Sequence, residues 1–312
     1  MSALSATLRA PVRLPPMPGE AAAAETCPPI AMARARLAGG RLAFLDPDGF
    51  ARAARHGFFL LEIPDGLDLA PGDRFVRHFH RPAETGPLAG YTGYRDAPAP
   101  GPYEGYFDRP HDQWENFYIE RRHWRMIPPD VARMGAAMAE AGIAILRAVL
   151  DRVGIPVGEF GRLTGRLTDG GGHRMLAFNH FRPDKPVRGS KFHRDSGWVT
   201  VLRSTEPGLL AWIDGALCAV DPEPGHLIVN FGSAMEVLTE ATATPIRANI
   251  HGVVRTERPQ AAARVSYVVF LDSDLDQDIW RWRPGGPERL QSVADFAVQE
   301  VGRTYDADDA NL

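Results

Sequence analysis

The stretch G-L-L-A-W-I-D-G-A-L-C-A-V-D-P-E-P-G-H-L-I-V-N-F-G, residues 208–232, decides the fold class. It holds three short runs of strand composition, at 208–213, 217–220 and 226–231. Asp214-Gly215 separates the first two, and Pro222-Glu223-Pro224-Gly225 the last two. These residues favour turns, because Gly reaches positive φ, Pro presets φ and Asp bonds its own backbone. Runs this short, joined by turns this tight, read as antiparallel sheet. Working outward, the same texture recurs at 173–182, 198–203, 247–254 and 265–271. Short strands at this spacing predict a sandwich or jelly roll, a double-stranded β-helix core.

Upstream the texture is mixed. Strands are expected at 41–45 and 56–63, and helices at 46–55 and 73–80. Residues 82–110 are rich in Gly, Pro and Tyr and predict a long loop that either walls a pocket or forms a surface coil. Val131, Met134, Met138, Ile145, Val149 and Val153 repeat at helical spacing behind Pro128-Pro129-Asp130, and Gly154 closes the run. That pattern predicts a long scaffold helix. The tail, 287–305, reads as a helix lying back over the barrel. The expected plan is mainly β with flanking helices: a flexible leader or surface strap at 1–30, then one domain at 31–312. Within that domain, 31–165 is mainly helix and loop, 166–285 the jelly-roll core, and 286–312 a C-terminal helix.

Composition excludes several classes. Hydrophobic residues make up 44% and charged residues 24% of the 312 residues, with a net charge of −4. This is an ordinary globular balance. With no long basic run, nucleic acid is not expected as a partner. With no apolar run long enough to span a bilayer, a membrane is not expected either. Two cysteines, Cys27 and Cys218, make a disulfide framework improbable and suit a reducing cytoplasm. Oligomeric state is not legible.

The chemistry gathers around H-R-D at 193–195 and a lone His251 in a later β run. Two imidazoles and a carboxylate form the ligand set that holds non-haem Fe(II) on one face and leaves the other positions open. Residues i and i+2 of a strand point the same way, so His193 and Asp195 can enter one barrel together. The bland alternative is a structural hydrogen-bonded pair. Arg264 and Ser266 are also i and i+2. A buried guanidinium needs an anion, either the carboxylate of an organic acid or an internal Asp or Glu. Tyr94, Tyr106, Arg174, Lys191 and Trp198 are further candidates for the substrate side, and basic residues there favour a carboxylate-bearing or amino-acid-derived small molecule.

With these motifs in view, the chain resembles the isopenicillin N synthase-like branch of the Fe(II)/2-oxoglutarate-dependent oxygenases. H-G-F-F-L-L at 56–61 is similar to that family's N-terminal strand, and G-Y-T-G-Y at 90–94 to its tyrosine loop. F-N-H-F-R-P at 178–183 sits where the family has N-Y-Y-P, and the 208–232 run follows its W-x-x-V-x-P-x-P-G segment. The resemblance implies Fe(II) held by His193, Asp195 and His251, with 2-oxoglutarate as co-substrate and O2 as oxidant. It implies that Arg264 and Ser266 bind the far carboxylate of 2-oxoglutarate, with Asn179 nearby. The implied activity is a dioxygenase that oxidises an unactivated C–H bond by hydroxylation, desaturation or cyclisation, in specialised metabolism. There are three departures from the pattern. Phe181 replaces a tyrosine, Ser233 replaces an aspartate, and the gap from His251 to Arg264 is longer than usual. The first leaves open an oxidative cyclase that does not use 2-oxoglutarate, in which Arg264 and Ser266 would hold the substrate. A non-catalytic barrel that binds a metal or an organic acid is the remote alternative.

Overall fold

The computed structural model describes residues 14–258 and 263–304. The first strands are β1 (Ala33–Ala38), β2 (Arg41–Phe44), β3 (Phe58–Glu62), β4 (Gly105–Asp108) and β5 (Trp114–Glu120). The core strands are β6 (His173–Phe181), β7 (Ser190–His193), β8 (Val199–Ser204), β9 (Leu209–Ile213), β10 (Ala216–Ala219), β11 (His226–Phe231), β12 (Ile250–Val253) and β13 (Val265–Asp272). A hairpin, β14 (Asp278–Arg283) and β15 (Gly286–Ser292), follows. The helices are α1 (Glu20–Thr26), α2 (Gly49–His56), α3 (Ala70–Val76), α4 (Pro129–Arg152), α5 (Phe160–Leu163), α6 (Ser233–Thr239) and α7 (Val293–Thr304).

Among the described residues, two sheets face each other as in a jelly roll. The major sheet runs β2-β1-β3-β11-β8-β13-β6-β5-β4, and the minor sheet β10-β9-β12-β7. Alternation along the strands sorts side chains into an interior between the sheets and two outer faces. Phe58, Leu60, Ala177, Phe181, Leu202, Ala211, Ile228, Val253 and Val268 form the apolar interior. Phe59, Leu61, Leu176, Phe178, Val201, Val229, Tyr267 and Val269 point the other way, against the helices.

α4 covers that outer face. Pro129 starts it, since a fixed φ suits a first turn whose N–H has no partner. Its buried stripe includes Val131, Met134, Met138, Ile145, Leu146 and Val149. Each such side chain contributes roughly 1.5–3 kcal/mol on burial. Gly135 and Gly142 let the helix lie close to the sheet. A Cβ at Gly135 would sit 2.4 Å from Leu176 Cδ1, and one at Gly142 2.5 Å from Leu271 Cδ1.

Several expectations need correction. The 82–110 loop ends in β4, and β5 beyond it was not anticipated; together they form one edge of the major sheet. β5 was hidden because W-E-N-F-Y-I-E carries polar residues on both faces, which blurs the alternation. The tail is not helical from 287. It first completes the β14–β15 hairpin, whose turn at Gly285-Gly286 brings Trp282 opposite Pro287, and α7 starts only at Val293. The stretch 14–30, expected as a flexible leader or a surface strap, is a strap. Leu14, Met17, Ala23 and Cys27 pack with Phe192, Leu210, Ile250 and Val254 on the outer face of the minor sheet. Glu20 pairs with Arg258, 2.5 Å away. The remainder of the expected leader, 1–13, lies outside the described residues. Cys27 and Cys218 are free thiols. No helix of the described residues is long and apolar enough to cross a membrane.

Candidate metal centre

His193 ends β7, and His251 stands directly opposite it on β12. Opposed residues of an antiparallel pair share a face, so both rings enter the interior, with centroids 4.4 Å apart. Asp195 is not on the strand, as the sequence had suggested; it lies in the loop two residues past the end of β7. Its Oδ1 is 3.8 Å from Nε2 of both His193 and His251. The three donor atoms lie within 4.8 Å of one another.

Local partners aim these donors. His193 Nδ1 lies 3.1 Å from the Lys191 carbonyl, and His251 Nδ1 lies 3.4 Å from that of Asn249. A carbonyl only accepts, so Nδ1 carries the proton and each Nε2 lone pair turns toward Asp195. Thr200 Oγ1 and Asn230 Nδ2 donate to Asp195 Oδ2 at 2.6 and 2.5 Å, leaving Oδ1 for a cation. Burial, then the neighbouring His251, pushes the His193 imidazole down to about 4, against the pull of Asp195. It is therefore neutral at pH 7, the form that ligates. Two imidazoles and one carboxylate fit a divalent transition metal of the non-haem iron type. Asp272, half-buried at the end of β13, feels the charge of Asp195. Burial first, and Asp195 second, push its carboxyl up to about 7.

Arg264 and Ser266 enter the same interior from the major sheet. Arg264 is 6% exposed. Its Nε donates to the Pro207 carbonyl at 3.1 Å and its Nη2 to Ser204 Oγ at 3.1 Å, while Nη1 is buried with no partner among the described residues. No carboxylate among the described residues lies within ion-pair distance, which disfavours the internal salt bridge left open by the sequence. Burial pushes the guanidinium down to about 10, with only Glu206 opposing. A carboxylate at Nη1 would satisfy the free donor and the charge together. Arg264 also lies over the Phe181 ring at 4.8 Å, so the residue that replaces a tyrosine offers a π face instead of a hydroxyl. Asn179 donates to Ser266 Oγ at 3.3 Å and accepts from Asn116 Nδ2 at 2.6 Å, a chain running across three strands.

The substrate-side candidates fare differently. Lys191 is buried on β7, two residues before His193. The other four lie outside the interior. Arg174 alternates with Leu176 and Phe178 onto the helix side, where it pairs with Glu140 of α4 at 3.1 Å. Tyr94 packs on Phe75 and Phe117 on that side, and its hydroxyl donates to the Gly90 carbonyl. Tyr106 stands opposite Phe117 and donates to Glu115. Trp198 is 1% exposed and donates to Ser273 Oγ at 2.9 Å, as a core residue. The sequence reading missed Asn116, Thr200, Ser204 and Asn230. Only Asn230 carried a signal, inside V-N-F-G; the others emerge from strand register.

A second group, His80, Glu115 and His180, also brings three donor atoms within 4.8 Å, on the helix side of the major sheet. It reads as an internal network. Glu115 already accepts from His180 Nδ1 at 2.8 Å, from Arg95 at 2.7 Å and from Tyr106. The two imidazoles stack at 3.9 Å and 16°, so their in-plane lone pairs run parallel and do not converge. Burial alone would raise the Glu115 carboxyl; the hydrogen bonds from His180, Tyr106 and Arg95 outweigh it and hold it at about 2.

Residues 172–273, which contain all three candidate ligands together with Arg264 and Ser266, match the model of the 2OG-Fe(II) oxygenase superfamily. Leucoanthocyanidin dioxygenase 1 of Oryza sativa subsp. indica is 28% identical over 215 residues, covering 60% of this chain and 55% of the relative. The chain thus spans about half the length of that relative. The 2-oxoglutarate-dependent dioxygenase DAO of Oryza sativa subsp. indica is 26% identical over 230 residues, covering 70% of this chain and 67% of the relative. Among solved structures, JOX2 in complex with 2OG, Fe and JA superposes with a TM-score of 0.64 at 19% identity, covering 92% of this chain and 89% of JOX2. Rice DAO gives 0.62 at 21% identity, over 89% and 98%. At these identities the structural likeness speaks to the fold.

Proposed function

We propose that the chain is a member of the 2OG-Fe(II) oxygenase superfamily, whose model matches residues 172–273, and that it is an Fe(II)- and 2-oxoglutarate-dependent dioxygenase acting on an unactivated C–H bond of a small molecule. One observation carries the co-substrate assignment. Arg264 is a buried guanidinium with, among the described residues, an unpartnered nitrogen and no carboxylate in ion-pair contact, and it enters the same interior as His193, Asp195 and His251. An unpaired buried charge is costly, and the far carboxylate of a keto diacid is the partner that relieves it.

Fe(II), with 2-oxoglutarate and O2, supplies the oxidising power when bound. The chain's own residues do the rest. His193, Asp195 and His251 hold the ion on one side. Thr200 and Asn230 fix which oxygen Asp195 presents. Arg264 and Ser266 bind the distal carboxylate, with Asn179 holding the Ser266 hydroxyl. Phe58, Leu202, Ile228 and Val268 keep the interior apolar and exclude water. A role in specialised metabolism is supported by the relative that acts as a leucoanthocyanidin dioxygenase.

Phe181 supports a second reading. Without a hydroxyl at that position, Arg264 and Ser266 can instead hold a substrate's own carboxylate, as in an oxidative cyclase that takes its electrons from the substrate.

The test is an anaerobic titration of apo-protein with Fe(II) and then 2-oxoglutarate, following the visible charge-transfer band of a chelated keto acid. The expected result is a saturable band that is absent in Asp195→Ala and His193→Ala. Fe(II) binding with no band would turn the assignment to the cyclase. Full Fe(II) binding in both variants would remove the ligand assignment itself.

A further inference from the structure

Arg109 is a cation at the edge of the interior with no acid partner among the described residues. The two acids nearest to it in sequence are taken. Asp108 pairs with Arg182 and with Lys185 at 3.2 Å, and Asp112 pairs with Arg188 at 2.6 Å. Lys185 also donates to the Arg109 carbonyl, which fixes the backbone there.

Arg109 Cζ lies over the Trp114 ring, 6.0 Å from its centroid, and that centroid is 6.4 Å from the His193 ring. Trp114 is held in turn, because its Nε1 donates to Asp112 Oδ2 at 3.1 Å. It packs on Phe181 at 5.9 Å, and Arg264 lies over Phe181. Two cations therefore flank one aromatic pair: Arg264 at the deep end and Arg109 at the outer end, with the metal ligands alongside.

Tyr118 lies on the same face of β5 as Trp114, four residues along the strand. It stands opposite Ala177 on the interior face, and Phe107 packs edge-on against it at 5.5 Å. It is half-buried, and no hydrogen bond to its hydroxyl is formed among the described residues.

We infer that Arg109 and the Tyr118 hydroxyl form the substrate's anion-binding end, selecting a small carboxylic acid whose flat apolar body lies along Trp114. A guanidinium fork and one phenol match the two oxygens of a carboxylate. This deepens the proposed function and rests on it for the position of the reacting end. The deep guanidinium serves the co-substrate, and the outer one serves the substrate.

The test uses the full chain with Fe(II) and saturating 2-oxoglutarate, kept anaerobic. Phenylacetate, phenylacetamide and phenyl phosphate are titrated by calorimetry and by quenching of tryptophan fluorescence. Phenylacetate is expected to bind about tenfold more tightly than its amide, the scale of one charge-assisted hydrogen bond. In Arg109→Gln that preference should vanish while 2-oxoglutarate affinity is unchanged. Arg109→Lys should restore part of it, and Tyr118→Phe should reduce it. Equal binding of acid and amide by wild type, or a preference that survives in Arg109→Gln, overturns the inference. Tighter binding of phenyl phosphate than of phenylacetate overturns the carboxylate assignment. If 2-oxoglutarate itself does not bind wild type and the acid preference still follows Arg109, the co-substrate reading fails and the substrate end stands.

Discussion

Replacing Arg264 by Met separates the cost of the empty anion site from its use. The side chain is 6% exposed, and burial pushes its guanidinium down to about 10 from an ordinary 12.5. At neutral pH the group is charged in both the folded and unfolded states. At about 1.36 kcal/mol per pH unit, burying that charge costs the ligand-free fold on the order of 3 kcal/mol. Met fills a similar volume without the charge. It leaves the Pro207 carbonyl and the Ser204 hydroxyl without their donor, at a cost of about 1 kcal/mol each. The balance is a gain on the order of 1 kcal/mol, a rise of roughly 2–4 °C in the unfolding midpoint.

Addition of 2-oxoglutarate should reverse the sign. Losing a bidentate partner inside a desolvated site costs about 3 kcal/mol, or about a hundredfold in affinity. The rise in midpoint that 2-oxoglutarate gives wild type should then be missing. Thermal unfolding with and without 2-oxoglutarate, alongside a calorimetric Kd, reads both halves. If the ligand-free variant loses several kcal/mol, Arg264 is a structural residue after all. If its Kd for 2-oxoglutarate stays within about threefold of wild type, the anchor lies elsewhere.

Removing both donors to Asp195 Oδ2, in Thr200→Val combined with Asn230→Leu, should weaken Fe(II) binding about 10- to 100-fold while the ligands stay in place; an unchanged metal Kd would refute the aiming role. The His80–Glu115–His180 network should make stability depend on pH in a fixed direction. His80 is pushed down to about 4 from 6.5 by burial and then by His180, Arg95 and His78, against Glu115. The unfolded chain thus takes up that proton near pH 6.5 and the folded chain only near 4, so stability falls as pH drops through this window. Glu115, held at about 2 against 4.5, adds stability above pH 4.5 that is lost as pH falls toward 2. Urea midpoints between pH 7 and 4 should decline less steeply in His80→Phe; an identical slope would remove His80 from the effect.

The jelly roll was legible because its strands are short, apolar and punctuated by turn residues, as in 208–232. The candidate ligands His193, Asp195 and His251, and Arg264 beside them, stood out because one residue type at one spacing carries their chemistry. What sequence could not show was direction. Arg174, Tyr94 and Tyr106 are polar groups that belong to the helix side of the major sheet, and a residue's parity along β6 or β5 becomes known only once register is fixed. β5 escaped notice altogether, which concealed Asn116 and Tyr118. Arg109 stood out only after Asp108 and Asp112 were seen to be engaged by Arg182, Lys185 and Arg188. A free cation is defined by the commitments of its neighbours, which lie far away in sequence.

The division of the candidate site between two sheets has a further consequence. The imidazoles project from the minor sheet and the deep guanidinium from the major one, so their separation is not adjustable by a single loop. Packed sheets stand about 10 Å apart, and the side chains of Phe58, Leu202, Val253 and Val268 set that gap here. The barrel then works as a calliper for chain length. A diacid one methylene too short leaves the guanidinium unsatisfied, and one too long must buckle. Discrimination among keto acids would therefore respond to substitutions in the apolar core, at residues that touch neither end of the molecule being measured.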